Sequence, residues 1–339
     1  MAKRCTLCCK MKLLWFLLLS AAAQAAPCTT VANCTEWLTF GSGPSRSLVY
    51  RTYPLVVRNP QITRALIVVH GAGRDADNYF RTALAAAFLA DGLENTIVVV
   101  PRLASNSGGC RDTLALNEVS WSCAGDSWRS GGVATNNDKL TSFDFTDELL
   151  RKLANKDVFP NLRAIVVSGH SAGGQYVDRY AMANTVHDTL GVAVTYVVSN
   201  PSSYAYLDNT RPNADGTEFR AFNDGRNCTT YNQWPYGLER RSAGYTAKES
   251  DDQLRKQLAD RPVTYLLGEI DILPLGGFDN SCPAMAQGAT RLARGQAFSK
   301  YVNQKFGAHH TTTIAPLCGH NARCMFTSDE ALKIVWPAK

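Results

Sequence analysis

The 339-residue sequence predicts an α/β fold, a mostly parallel central sheet flanked by helices. Three observations predict it. Apolar, β-rich runs recur at residues 65–69, 96–100, 164–167, 192–198 and 263–267, with a weaker sixth at 310–314. The five strong runs are continuously hydrophobic, as strands are when helices cover both of their faces. Helical patterns at 77–89, at 143–153 and directly after Ser171 lie between the runs, and strand–helix alternation of this kind builds parallel sheets.

In chain order the first element is a leader. Lys3, Arg4, Lys10 and Lys12 precede an apolar run over 13–19, and Ala23-Gln24-Ala25 follows as a small-residue cleavage site. These three parts predict a secretory signal peptide over residues 1–25. No later stretch approaches the roughly 20 apolar residues of a membrane span, and Pro27 ahead of Cys28 fits a lipid anchor poorly. The expectation is a soluble protein, secreted to the periplasm or medium, in which residues 26–339 form one domain. The formal charge is +6, and loss of the four basic residues of the leader, which has no acidic one, leaves about +2. That balance gives no argument for a nucleic-acid partner.

Three of the 11 cysteines leave with the leader. The other eight, Cys28, Cys34, Cys110, Cys123, Cys228, Cys282, Cys318 and Cys324, imply disulfides in an exported chain, although eight cysteines allow 105 pairings. Short spacing favours Cys28–Cys34, Cys110–Cys123 and Cys318–Cys324, which leaves Cys228–Cys282. The mature part has no C-x-x-C pair and no H-E-x-x-H, so neither a metal nor a cofactor is expected. Asn33 and Asn227 head N-x-T triplets, relevant only in a glycosylating host.

The segment before Leu66, including "SLVYRTYPLVV", offers one or two antiparallel edge strands. Two stretches interrupt the strand–helix rhythm. Residues 102–135 hold Cys110, Trp121, Cys123 and Trp128 among Gly, Ser and Asn. Residues 202–261, a lid-like insertion between late strands, are rich in aromatics, including Tyr204, Tyr206, Trp234 and Tyr245. Long structured loops over the carboxyl ends of parallel strands usually build binding sites. The alternative is that these aromatics form a small core of their own.

The chemistry concentrates at "AIVVSGHSAGGQYVDRY", residues 164–180. Gly169-His170-Ser171-Ala172-Gly173 matches G-x-S-x-G, and it follows a buried strand and opens a helix, as a nucleophile elbow requires. Residues two positions either side of the serine must be small for that turn to close, and both are glycine.

The sequence here resembles the α/β-hydrolase superfamily, from about Leu66 to the C-terminus, and within it secreted serine esterases of the feruloyl esterase or polyester depolymerase kind. The resemblance implies three further parts. "LIVVHGAG" places His70-Gly71-Ala72-Gly73 after a strand as an oxyanion loop, which implies backbone N–H donors at Ala72 and Ala172. "VTYLLGEIDILP" offers Asp271 as the acid, with Glu269 as the alternative. "TTTIAPLCGHNARCMF" supplies His320, bracketed by Cys318 and Cys324. The chain order Ser171, Asp271, His320 is that of the superfamily. The implied activity is hydrolysis of a small-molecule or polymeric carboxylic ester through an acyl-enzyme. The same triad serves an exported peptidase, amidase or acyltransferase, and a non-catalytic binding module would be expected to have lost one of its members. Substrate-binding residues and oligomeric state are not readable.

Overall fold

The computed structural model describes Met1 and residues 25–124, 127–223, 228–241 and 244–337. Residues 2–24 of the expected leader, and Asn227, lie outside the described residues.

The chain begins with β1 (Thr35–Thr39), β2 (Arg46–Arg51), β3 (Arg64–Val69), α1 (Ala76–Leu89) and β4 (Thr96–Pro101), followed by α2 (Ser142–Ala154), β5 (Ala164–His170), α3 (Ala172–Ala183) and β6 (Ala193–Ser199). A short hairpin, β7 (Thr210–Pro212) with β8 (Phe219–Ala221), then leads through α4 (Asp251–Asp260) to β9 (Val263–Gly268) and α5 (Cys282–Met285). The chain closes with α6 (Arg291–Phe306), β10 (Thr311–Ala315), α7 (Ala322–Thr327) and α8 (Asp329–Val335).

Eight strands form one sheet in the order β1-β2-β4-β3-β5-β6-β9-β10. The six from β4 to β10 run parallel, and β1 and β2 add an antiparallel edge. All six apolar runs are therefore strands, and the expected edge strands are present, although "PLVV" of that segment is not strand.

Burial on both faces explains the unalternating runs. In β3, Ala65, Ile67 and Val69 join one buried cluster with α2, α3, α4 and α6, whereas Leu66 and Val68 join a second with α1, α7 and α8. Helix α2 starts where Thr141 and Asp144 cap each other's backbone N–H groups.

Helix α6 carries no plain apolar stripe, because its buried face includes Arg291 and Arg294, both 0% exposed. Its Gly295 lies so close to β9 that a Cβ would meet Leu267 Cδ2 at 2.5 Å. The periodicity that marks other helices is therefore muted here.

The sheet order places the site. From β3 the chain moves outward to β4 and then returns to the other side of β3 as β5. Such a switch point leaves a crevice beyond the carboxyl ends of the two central strands. The expected oxyanion loop follows β3 and the serine elbow follows β5, so both open into it.

Four cysteine pairs stand at disulfide distance, with Cα separations of 5.5 Å for Cys28–Cys34, 5.9 Å for Cys110–Cys123, 6.0 Å for Cys228–Cys282 and 5.6 Å for Cys318–Cys324. Among the described residues no helix is long and apolar enough to cross a membrane.

Candidate active site

The elbow explains its own sequence. A Cβ on Gly169 would meet the carbonyl oxygen of Gly173 at 2.3 Å, and one on Gly173 would meet that of Val69 at 2.1 Å. Backbone packs directly on backbone at both places, so no side chain fits. Between them Ser171 adopts φ 60° and ψ −120°, a conformation L-residues rarely take. Its N–H donates to the Ser199 carbonyl at 3.0 Å, which holds the turn against β6.

His320 brings the predicted residues together. The Ser171 hydroxyl donates to His320 Nε2 across 2.9 Å, and His320 Nδ1–H donates to Asp271 Oδ2 across 2.8 Å. A carboxylate only accepts, so its contact assigns the proton to Nδ1 and leaves Nε2 as the acceptor facing the serine. Asp271 is buried and its second oxygen takes Arg291 Nη1 at 3.4 Å. Glu269, the alternative acid, is exposed and accepts the Leu317 N–H at 2.8 Å.

The two expected oxyanion donors come from different segments, the loop after β3 and the start of α3. Ala172 is the first residue of α3, where N–H groups have no carbonyl one turn earlier. Ala72 lines the cleft in the loop after β3. Arg74 braces that loop by donating to the Ala72 carbonyl at 3.0 Å while it pairs with Asp112 at 2.9 Å. Burial pushes the Asp112 carboxyl up, but hydrogen bonds from Arg74 and the Ser105 N–H, with the charges of Arg74 and Arg102, hold it below its usual range. Residues 102–135 thus support the loop after β3 through Asp112. Beneath the loop, the Leu103 N–H donates to His70 Nε2 at 3.1 Å, so Nδ1–H is left to face the Gly71 carbonyl at 3.0 Å. Burial lowers the His70 pKa to about 4 and keeps the ring neutral.

Motif reading does not find several residues that hold this arrangement. Asn200, at φ 44°, accepts the Gly268 N–H at 2.8 Å and donates to the Gly319 carbonyl at 3.2 Å. It thereby ties the loop of Asp271 to the loop of His320. Its one local signal is the polar Ser-Asn-Pro that ends a buried strand. Tyr79 Oη lies 3.2 Å from Nδ1 of His170, whose ring centroid is 4.7 Å from that of His320. Burial, then the charges of His320 and Arg291, hold His170 well below its usual pKa, so it sits neutral beside His320.

Ser171, His320, His170 and Tyr79 line an open cleft of about 670 Å³, together with Asp75, Asn78, Gly276, Gly277 and Arg323. The described residues of 202–261, expected as a lid-like insertion, contribute none of these walls. Its Tyr204 and Tyr206 pack on Phe298 of α6, at centroid distances of 4.6 Å and 5.1 Å, and Tyr245 packs on Phe143 at 5.6 Å. Those tyrosines belong to the core.

Comparison with known proteins agrees with this architecture. Residues 66–333 match the model of the alpha/beta hydrolase family. The chain belongs to that family. The hydrolase is similar to the solved structure of poly(aspartic acid) hydrolase-1 from Sphingomonas sp. KT-1, with a TM-score of 0.62 and 22% identity over 89% of this chain and 97% of that one. It is similar also to a poly(3-hydroxybutyrate) depolymerase from Bordetella parapertussis, with a TM-score of 0.61 and 17% identity over 90% of this chain and 91% of that one. At these identities the likeness is one of fold. No curated protein matches the hydrolase in sequence.

Proposed function

We propose that the protein is an exported serine hydrolase of carboxylic esters, with Ser171 as nucleophile, His320 as general base and Asp271 as the group that orients and stabilises the imidazole. The observation that carries this reading is the unbroken chain of contacts at 2.9 Å from Ser171 to His320 and 2.8 Å from His320 to Asp271. In the reaction His320 Nε2 takes the hydroxyl proton as Ser171 Oγ adds to the ester carbonyl. The N–H groups of Ala72 and Ala172 hold the resulting oxyanion. The imidazolium then protonates the departing alcohol, which leaves an acyl-enzyme. Water, deprotonated by His320, attacks that ester and releases the acid with Ser171 regenerated.

The cleft favours an ester over a polyanionic amide substrate. Among the described residues that line it, Arg323 is the single lysine or arginine, and Asp75 is a carboxylate on the same cleft. A poly(aspartic acid) chain would call for more positive charge. Four disulfides fit an oxidising compartment and support the reading of an exported protein.

The test is labelling by a fluorophosphonate, with turnover of short p-nitrophenyl esters. Wild type is expected to label at Ser171, and Ser171→Ala to lose label and roughly 10⁴-fold or more of kcat. Unchanged turnover in that variant would sink the assignment. Amide turnover comparable to ester turnover would move the activity to C–N bonds.

A further inference from the structure

We infer that Arg74 is a positioning residue, one that sets the aim of the Ala72 N–H by holding both peptide groups that flank Ala72. The inference rests on the ester-hydrolase reading above, in which that N–H receives the oxyanion. Gly71 and Gly73 stand on either side of Ala72, so the backbone alone leaves both peptide planes free to turn. Hydrogen bonds to their carbonyls remove that freedom. The Gly71 carbonyl belongs to the peptide group that carries the Ala72 N–H, and it accepts the Arg74 N–H at 3.1 Å and His70 Nδ1–H at 3.0 Å. The Ala72 carbonyl, in the next peptide group, accepts Arg74 Nη1 at 3.0 Å. Among the described residues no other hydrogen-bond donor reaches it. Arg74 therefore spans both planes, with its backbone on the first and its guanidinium on the second. The first plane lies against the serine, since a Cβ on Gly71 would stand 3.7 Å from Ser171 Cβ.

The guanidinium is itself held. Nε donates to Asp112 Oδ2 at 2.9 Å and Nη2 donates to Asp112 Oδ1 at 3.4 Å, so the carboxylate takes it as a fork. Asp112 is fixed in turn by Ser105. Its Oδ2 accepts the Ser105 N–H at 2.8 Å, and its own N–H donates to the Ser105 carbonyl at 2.9 Å. The Cys110–Cys123 pair closes this segment, and Arg74 Nη1 lies 3.5 Å from Cys123 Sγ.

Two observations separate aiming from a contribution to stability alone. Arg74 adopts φ 55°, in the left-handed region that glycine occupies with least strain. An ion pair whose side chains keep 16% and 21% of their exposure returns little stability for that strain. Arg74 is also not among the residues that line the cleft, so its effect on the reaction passes through Ala72. An arginine at this backbone conformation is explained by the carbonyl its side chain holds.

The experiment compares Arg74→Gly with wild type. Glycine suits the backbone and removes the guanidinium, so folding and aiming are read apart. The measurements are kcat and KM on p-nitrophenyl butyrate, affinity for butaneboronic acid, which adds to the serine as a tetrahedral adduct, and the denaturant midpoint. In Arg74→Gly kcat is expected to fall roughly tenfold or more, short of the roughly 10²- to 10³-fold of a donor removed outright. KM is expected to stay within twofold of wild type, boronic acid affinity to fall by the same factor as kcat/KM, and the midpoint to equal or exceed that of wild type. Asp112→Asn is expected to show the same kinetic pattern, and the double variant to lose no more than Arg74→Gly alone. A kcat within twofold of wild type, a rise in KM alone, or additive losses in the double variant overturns the inference. Asp112→Asn carries the comparison if Arg74→Gly lowers the midpoint, and a kcat loss that comes with a lowered midpoint in both variants overturns the inference as well. Wild type that labels with a fluorophosphonate at Ser171 but turns over no ester refutes the ester reading separately. The labelling rate then stands in for kcat, because phosphonylation also builds negative charge on an oxygen in the oxyanion site. Wild type that neither labels nor turns over ester refutes both.

Discussion

Arg291 Nη1 lies 3.4 Å from Asp271 Oδ1, with the Arg291 side chain fully buried and that of Asp271 1% exposed. The same guanidinium donates to Ser202 Oγ at 2.8 Å and to the Gly276 carbonyl at 3.0 Å. It therefore joins the acid of the candidate triad to the loop that lines the cleft. Burial lowers its pKa and the charge of Asp271 opposes that shift.

Arg291→Lys is expected to keep the charge and lose the fork, since one ammonium does not reproduce three divergent bonds. Asp271 would then be less firmly held. Kinetics on a p-nitrophenyl ester should show kcat falling on the order of tenfold, about 1.4 kcal/mol, with KM little changed. A kcat equal to wild type would show that Arg291 serves only the core.

Asp271→Asn keeps the shape of the acid but allows the imidazole to take the wrong tautomer, with its proton on the nitrogen that faces Ser171. In a triad this costs roughly 10⁴-fold in kcat. Glu269→Gln should stay close to wild type, because Glu269 faces Leu317 and not His320. Comparable losses in the two variants would contradict the assignment.

Gly173→Ala places a Cβ 2.1 Å from the Val69 carbonyl oxygen and 2.6 Å from that of His70. Both are backbone atoms of the central sheet and its oxyanion loop, so neither can turn aside. A denaturant midpoint should report a loss of about 3 kcal/mol or more, with activity falling in parallel. Wild-type stability would mean that the elbow is more open than described.

Asp178 is buried in α3, where desolvation pushes its pKa up to about 7 against the charge of Arg179. A carboxyl whose folded pKa exceeds its unfolded value of 3.8 binds more proton when folded. Stability is therefore lost as pH rises from about 4 to 7. Asp178→Asn removes this dependence. Between pH 4 and pH 8 its unfolding free energy should gain on wild type by about 2–4 kcal/mol, whatever constant offset the amide adds. Parallel pH curves would refute the shift.

The sheet, and three candidate residues that the structure brings together, were legible from local constraints and chain order. A strand covered on both faces reads as an apolar run wherever it lies, and an elbow that closes backbone on backbone writes glycine at 169 and 173. Chain order then singled out His320 from the other histidines, and the spacing from Gly268 that the resemblance implies preferred Asp271 over Glu269. The supports of the site were not legible, because each acts between segments far apart in the chain. Asn200 spans Gly268 and Gly319, Arg74 of the oxyanion loop meets Asp112, and Arg291 looks in sequence like the polar start of an exposed helix. Only folding places its guanidinium against Asp271. The aromatics of 202–261 show the same limit. Tyrosine suits a core as well as a pocket, and the packing of Tyr204 and Tyr206 against Phe298 decided for the core. Composition sets which surfaces must be buried, and the path of the chain sets what they are buried against.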